Sequence, residues 1–411
     1  MTINSFIWQC RSGWGKGQLP LSIRNIELKD FRGYSHLKLE DLGPLVMLVG
    51  QNAVGKTNII EGIQLLTAGE SFRKPKWGEL VSWDAASSFA FAEMVDADAG
   101  RFVQHKMKIA GGKREYEVNG KAKQVAQVRG TCPSVVFIPD HLQMIKASSS
   151  IRRDAIDALG VQLSKNYGAL KNDYAKTLKQ RNLLLKNEVG KGPLFDSWDE
   201  SLAVNGARLC VNRVRLFKRL ADYMKSIYAQ LVPTESLEGV YVPSWARFDE
   251  PMRQVPPSAN FNEETQKAIT EGFDIKNVEE EIRFWSPRLR EQELSRKISL
   301  IGPHKDEIAF YINGRNARQF ASQGQQRTVV LAWKLAEVEM VREFTGGDPI
   351  LLLDDVMSEL DEQRRDALTE FIEGNTQTFV TTANLGYFSN ELLKQAQIIE
   401  LPIEGTKNVY R

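Results

Sequence analysis

Residues 45–66 read LVMLVGQNAVGKTNIIEGIQLL, and this stretch decides the fold. Leu45, Val46, Met47, Leu48 and Val49 form a short unbroken apolar run, the pattern of a strand buried on both faces. The next eight residues, Gly50, Gln51, Asn52, Ala53, Val54, Gly55, Lys56 and Thr57, satisfy G-x-x-x-x-G-K-[ST]. Ile59, Ile60, Ile63 and Leu66 follow at helical spacing. Strand, glycine loop and helix together are the context a phosphate-binding loop requires. Gly50 and Gly55 open backbone angles closed to other residues, so the loop can turn its N–H groups toward an anion. The positive end of the helix dipole faces the same anion. Lys56 is expected to reach the outer phosphates of a nucleotide, and the Thr57 hydroxyl to ligate Mg2+.

The 411 residues suggest two or three domains. Apolar residues make up 42% and charged residues 26%, as in an ordinary globular protein. Net charge is only +2, so any binding to nucleic acid must come from local patches. Cys10, Cys132 and Cys210 are far apart, which argues for a reducing compartment and against a metal cluster. No apolar run is long enough to span a membrane, and the first twenty residues lack the apolar core of a secretory signal. Residues 1–20 read as a flexible extension.

Outward from the loop, Ile23, Ile26, Leu28 and Phe31, then Leu37 and Leu39, suggest two edge strands leading to the buried one. Phe89 to Val95 and Val103 to Ile109 alternate, and Asn119-Gly120 marks a hairpin, so an antiparallel sheet is expected here. Val135 to Ile138 is one more apolar strand. Residues 142–231 read almost entirely as helix, with Gly190, Gly192 and Pro193 splitting a helical hairpin. Residues 249–262 look like a Pro-rich surface loop, and one helix is expected over 278–294. Ile308, Phe310 and Ile312 alternate up to Asn313-Gly314, a second hairpin turn. A long helix over about 325–344, a strand over 350–353, a helix from Glu362 and a strand over 378–381 complete the chain.

The second half supplies a partner for the phosphate loop. Ile350, Leu351, Leu352 and Leu353 precede Asp354 and Asp355, so a buried strand beside the first would deliver a carboxylate to the Mg2+ on Thr57. Asp354 would hold the metal through water. Asp355, pointing the other way along the strand, could polarise an attacking water. The alternative is a strand that ends in a solvated acidic turn. Ser322 opens the long helix, where it can act as an N-cap, and Gly324 permits close backbone approach.

Ser322-Gln323-Gly324-Gln325-Gln326 resembles the signature motif of ABC-type ATPases, and Met357-Ser358-Glu359-Leu360-Asp361 is similar to their D-loop. Further blocks resemble the bacterial RecF family of recombinational repair proteins. They are Asp30-Phe31-Arg32-Gly33-Tyr34, Gly55-Lys56-Thr57-Asn58, Leu178-Lys179-Gln180-Arg181-Asn182, and Ile301-Gly302-Pro303-His304-Lys305-Asp306. The resemblance covers nearly all of the chain from Leu21. Gln51, Ala53-Val54 and Phe72 depart from residues common in the family at those positions.

The resemblance implies an α/β fold: an ABC-ATPase-like head of mixed sheets and helices (21–133 and 295–411) with an inserted helical lobe (134–294). It implies that ATP with Mg2+ binds at Gly50 to Asn58 and joins two copies of the chain head to tail. Ser322, Gln323, Gly324 and Gln325 of one copy would then meet the nucleotide of the other. Asp355 and Lys56 would act in slow, DNA-stimulated hydrolysis that loosens this homodimer. The dimer would clamp double-stranded DNA at single-strand gap junctions and work with RecR and RecO to load recombinase in a cytoplasmic, nucleoid-associated setting. Arg73 sits where related ATPases place a basic contact to nucleotide, or is a solvated loop arginine. Gln143 is a candidate for a glutamine loop, and His304 and Lys305 are either structural or nucleotide-linked. DNA phosphates could meet Lys113, Arg114, Lys121 and Lys123, or Arg152 and Arg153, or Lys179 and Arg181.

Three rivals are set against this reading. A transport-type ATPase subunit would place a shorter insert between loop and signature. A chromosome-structural ATPase of the SMC or Rad50 type would carry long heptads there. A binding module with a relic nucleotide site would not need Lys56, Thr57, Asp354 and Asp355 intact.

Overall fold

A computed structural model of the chain describes residues 21–96, 100–247, 273–372 and 376–403. The expected extension at 1–20 and the whole of the Pro-rich loop at 249–262 lie outside the described residues. The chain divides into two compact units, residues 1–141 with 337–411, and residues 142–336. The expected boundaries at 133/134 and 294/295 differ from these, for reasons of strand pairing given below.

The first unit contains β1 (Leu21–Phe31), β2 (Tyr34–Leu39), β3 (Leu45–Val49), α1 (Lys56–Thr67), β4 (Ser87–Asp96), β5 (Arg101–Ala110), β6 (Lys113–Val118), β7 (Lys121–Lys123) and β8 (Ser134–Phe137). The second contains α2 (Ser149–Leu163), α3 (Lys165–Lys186), α4 (Pro193–Leu231), β9 (Leu237–Val242), α5 (Ile275–Arg288), α6 (Arg290–Arg296), β10 (Glu307–Ile312) and β11 (Arg315–Asn316). Helix α7 (Gln323–Thr345) starts in the second unit and ends in the first. The first unit then closes with β12 (Ile350–Asp354), α8 (Glu362–Ile372), β13 (Thr378–Thr382), α9 (Asn390–Gln395) and β14 (Gln397–Glu400).

Two sheets build the first unit. One is five-stranded and parallel, in the order β14-β3-β13-β12-β8. The other is six-stranded and antiparallel, in the order β2-β1-β4-β5-β6-β7. Only β2 of the two expected edge strands is an edge, because β4 pairs with the free side of β1. Strand β8 belongs to this unit because it pairs with β12 through Leu351↔Val135 and its neighbours. Asn119 and Gly120 both have positive φ, 50° and 72°, as the tight hairpin turn expected there requires.

Helix α1 is buried at every residue except Thr57, including Asn58, Glu61 and Gln64. A helix enclosed on all sides shows this composition rather than a single apolar stripe. Its last carbonyls would otherwise be orphaned, and side chains of the antiparallel sheet and the segment after it satisfy them. Tyr116 donates to Leu65 O at 3.2 Å, His105 Nδ1 to Leu66 O at 2.8 Å, Arg129 Nε to Ala68 O at 3.1 Å and Arg114 Nη1 to Gly69 O at 2.6 Å. A carbonyl only accepts, so His105 carries its proton on Nδ1, and burial pushes its pKa down.

In the second unit α3 and α4 form the expected hairpin, and β10 pairs with β9 and β11. The β9–β10 pairing is why residues 295–336 group with this unit. The expected single helix over 278–294 is two, α5 and α6, with Pro287 near the junction. A buried polar knot ties the elements together. Arg213 makes a two-pronged pair with Asp157 at 2.8 and 3.0 Å and donates to Pro303 O at 2.6 Å. Asp306 accepts from Tyr241 at 2.5 Å and from the Ser244 N–H at 2.7 Å. Cys132 and Cys210 are both buried, and burial pushes the Cys132 thiol up to about 12. Among the described residues no helix is long and apolar enough to cross a membrane.

Candidate nucleotide site

The glycine loop leaves the carboxyl end of β3, the end at which parallel sheets place their ligands. A Cβ at Gly50 would lie 2.7 Å from the Leu401 carbonyl, so only glycine lets the chain after β14 cross here. Gly55 has φ 104°, and a Cβ there would lie 2.6 Å from the Tyr34 hydroxyl. Tyr34, in the Asp30–Tyr34 block, therefore backs the loop, and Arg32 of the same block pairs with Glu61 of α1 through Nε and Nη2 at 2.9 and 2.8 Å. Gln51, Asn52 and Ala53 are exposed, Val54 and Thr57 are half-buried, and Asn58 is buried. Ala53 holds φ 66°, a left-handed angle on a residue with a side chain.

Lys56 folds back over the loop, donating from Nζ to Gly50 O at 2.6 Å and Gln51 O at 2.9 Å. Burial lowers its pKa, against the pull of Asp355 and Asp354. The Thr57 hydroxyl donates to Asp354 Oδ1 at 2.9 Å. Asp354 ends β12, which is not beside β3: β13 lies between them, a correction to the expected arrangement. The intervening strand contributes Thr381, whose hydroxyl donates to Asp354 Oδ1 at 2.8 Å and accepts the Asp355 N–H at 2.9 Å. No motif pointed to Thr381; its signal was a threonine at the end of an apolar strand.

Asp355 is not on the strand as expected. It follows β12 with φ 51°, so a left-handed turn and not the pleat sets its direction. Burial raises the pKa of both carboxylates; for Asp354 the Thr381 and Thr57 hydrogen bonds oppose this, and for Asp355 the charge of Lys56 does. Arg73 donates to Asn58 Oδ1 at 3.0 Å and Glu61 Oε2 at 3.3 Å, and its charge also acts on Asp354. The fully buried Glu61 accepts from Ser71 at 2.5 Å as well, so it anchors the Arg73 loop to α1.

The donor set fits Mg2+. Two oxygens in neighbouring positions around octahedral Mg2+, each about 2.1 Å from it, lie about 3 Å apart. Thr57 Oγ1 and Asp354 Oδ1 match that spacing at 2.9 Å. Among the described residues no three His, Cys, Asp or Glu side chains converge to hold a metal ion. One hydroxyl and one carboxylate suit a cation whose remaining ligands are phosphate and water.

The other candidates lie in the second unit. Ser322 and Gln325 form a reciprocal cap at the start of α7: the Gln325 N–H donates to Ser322 Oγ at 3.2 Å, and the Ser322 N–H to Gln325 Oε1 at 2.9 Å. Ser322 and Gln323 are exposed, Gly324 and Gln325 half-buried, and Gln143 is exposed. His304 is structural: Nε2 donates to Ser299 O at 3.0 Å, so Nδ1 must accept from the Tyr174 hydroxyl at 2.6 Å.

Two expected DNA contacts are corrected. Arg152 is 2% exposed and spends its donors on Glu307 and four carbonyls. Arg181 is fully buried, with Asp199 and Glu293 as its partners. Charges this enclosed hold a fold together and cannot also meet a ligand. Arg153 donates to Ser149 and to the Asp306 carbonyl, and Arg114 lies over the Trp77 ring at 4.0 Å. Lys113, Lys121 and Lys179 are exposed and Lys123 half-buried.

Residues 22–400 match the family model of the RecF/RecN/SMC N terminal domain. The chain is 32% identical over 381 residues to the DNA replication and repair protein RecF of Natranaerobius thermophilus, covering 90% of this chain and 94% of that one. It is 36% identical over 373 residues to the protein of that name from Acetivibrio thermocellus, covering 90% and 95%. Among solved structures it is similar to a recombination mediator protein described as RecF-ATP in the RecFOR pathway, with a TM-score of 0.80, 29% identity, and coverage of 97% of this chain and 98% of that one. A second structure, described as RecF-ATPrS, gives a TM-score of 0.80 at 31% identity over 91% and 96%.

Proposed function

The chain belongs to the RecF family, and from that premise we propose that it is an ATP-dependent DNA repair protein whose nucleotide site works as a dimerisation switch. The observation that supports this most directly is the meeting of Lys56, Thr57, Asp354, Thr381 and Asp355 at the carboxyl ends of three parallel strands. In this reading the first unit is the ATPase head and the second the inserted helical lobe. The 50–58 loop cradles the phosphates of ATP, and Lys56 exchanges its two loop carbonyls for phosphate oxygens. When bound, Mg2+ neutralises charge on the outer phosphates. Thr57 and Asp354 hold it, Thr381 orients Asp354, and Asp355 takes a proton from the attacking water.

Ser322 and Gln323 are exposed at the start of a long helix, as residues acting across a subunit boundary must be. ATP thus joins two copies, and slow hydrolysis releases them. The assembled form grips double-stranded DNA at gap junctions and serves the RecO and RecR mediators. Lys56→Met tests the switch: sedimentation with and without ATP should show dimers for the wild type only. Equal dimer formation by the variant would overturn the proposal.

A further inference from the structure

The solvent face of α4 carries a stripe of cations that the reading of the motifs did not use. Arg208, Arg215 and Arg219 are exposed and, at 100° per residue, fall within about 40° of one another around the helix axis. Lys218 and Lys225 border them on one side and are also exposed. Between residues 204 and 231 the only acid is Asp222. Among the described residues Arg208, Arg215 and Lys218 have no ion-pair partner, whereas Lys225 pairs with Glu238 at 2.5 Å. Like charges at i,i+3 and i,i+4, such as Arg215 with Lys218 and Arg219, disfavour a helix, so the stripe is not there to support α4.

We infer that this face of α4 binds the sugar–phosphate backbone of nucleic acid without reading sequence. The inference rests on the DNA-binding reading above and places the contact on a surface that reading did not name. Arg208 to Arg219 covers roughly 16 Å of helix, and a duplex strand presents one phosphate about every 3.4 Å of its axis, so several lie within reach. Three of the five cations are arginines, whose planar fork suits phosphate oxygens. An acidic protein partner fits less well. Between residues 201 and 226 this face otherwise carries Ser201, Val204, Asn205, Asn212, Asp222 and Ser226, and no large apolar side chain in that stretch is exposed to act as an anchor.

The test uses the full chain with ATP and a duplex of random sequence, with affinity measured over a series of salt concentrations. A triple variant, Arg208→Gln with Arg215→Gln and Lys218→Gln, should keep the helix and ATP-dependent dimerisation. Its binding should weaken, and the slope of log K against log salt should become shallower by about three. A control triple on exposed lysines elsewhere in the unit, Lys165→Gln, Lys186→Gln and Lys276→Gln, should leave the slope unchanged. An unaltered slope in the first triple, or equal flattening in both, overturns the placement while leaving DNA binding itself standing. Loss of polyglutamate binding with the DNA slope intact would assign the stripe to an acidic protein and also overturn it. A wild-type chain with no affinity for the duplex would instead refute the DNA-binding reading on which the inference rests.

Discussion

Thr57 Oγ1 donates a 2.9 Å hydrogen bond to Asp354 Oδ1 across 297 positions of sequence. Strand β13, between β3 and β12, braces this contact, because its Thr381 donates to the same oxygen and accepts the Asp355 N–H. Thr381 is thus a positioning residue for both acids. Thr381→Val keeps the shape and removes the hydroxyl. Its Mg2+-dependent ATP turnover should fall by roughly ten- to a hundredfold, as for other residues that orient a metal's ligands. ATP affinity without metal should stay close to normal, and Thr381→Ser should restore much of the loss. Magnesium titrations of turnover for the three proteins check this; a valine variant with wild-type Mg2+ dependence would refute it.

Ser322 closes a reciprocal cap with Gln325 at the start of α7, yet remains exposed. If its hydroxyl serves the partner's nucleotide, Ser322→Arg should bind ATP almost normally and fail to dimerise. Ser322→Ala removes the cap as well and should cost about 1 kcal/mol of stability. Nucleotide binding and sedimentation on the same samples separate the two effects. Loss of ATP binding by the arginine variant would show that Ser322 acts within its own subunit.

The parts of the fold that repeat at short range were legible in the chain. The glycine loop, both Asn-Gly hairpins, the α3–α4 break and the apolar strand before Asp354 follow from local chemistry. The strand order was not, since nothing in residues 350–355 says that β13 intervenes. Nor was the fate of two of the candidate cations. Arg152 and Arg181 read as surface charges until Glu307, Asp199 and Glu293 are found beside them, each more than a dozen residues away. The same long-range pairing turns the 301–306 block into a structural knot, with Pro303, His304 and Asp306 each bound to a different element. Strands β9 and β14 were missed because Glu238 and Gly239 interrupt the apolar pattern of β9, and the residues of β14 alternate between half-buried and exposed.

Acid should loosen the fold through its buried imidazoles. Burial depresses His304 to about 3, and His105 shifts the same way, whereas an unfolded imidazole titrates near 6.5. The unfolded chain therefore binds more protons below that pH. The stability owed to the neutral rings is complete above about 6.5 and is lost as pH falls toward the folded values. Each ring should contribute a slope of up to about 1.4 kcal/mol per pH unit. The raised carboxyl of Asp306 acts in the opposite sense, so the clean measurement is a difference. His304→Gln can still donate to Ser299 O and accept from Tyr174. Its urea midpoint should fall less than the wild type's between neutral pH and pH ~4.5. Parallel curves would rule the ring out.

Ala53 gives the last prediction, because it occupies a backbone angle that costs energy. Its φ is 66°, a region where a Cβ crowds the following carbonyl at roughly 1 kcal/mol or more. Glycine removes that clash but gains freedom in the unfolded chain, which offsets part of the benefit. The net effect of Ala53→Gly should still be stabilising, by somewhat under about 1 kcal/mol and roughly 1–3 °C in melting temperature without nucleotide. Ala53 is exposed, so no packing is lost in the exchange. Ala53→Val, with a branched Cβ at the same angle, should move the melting temperature the other way. If glycine lowered it and valine did not, the loop would have to leave this conformation in solution, and the phosphate cradle drawn from it would fail as well.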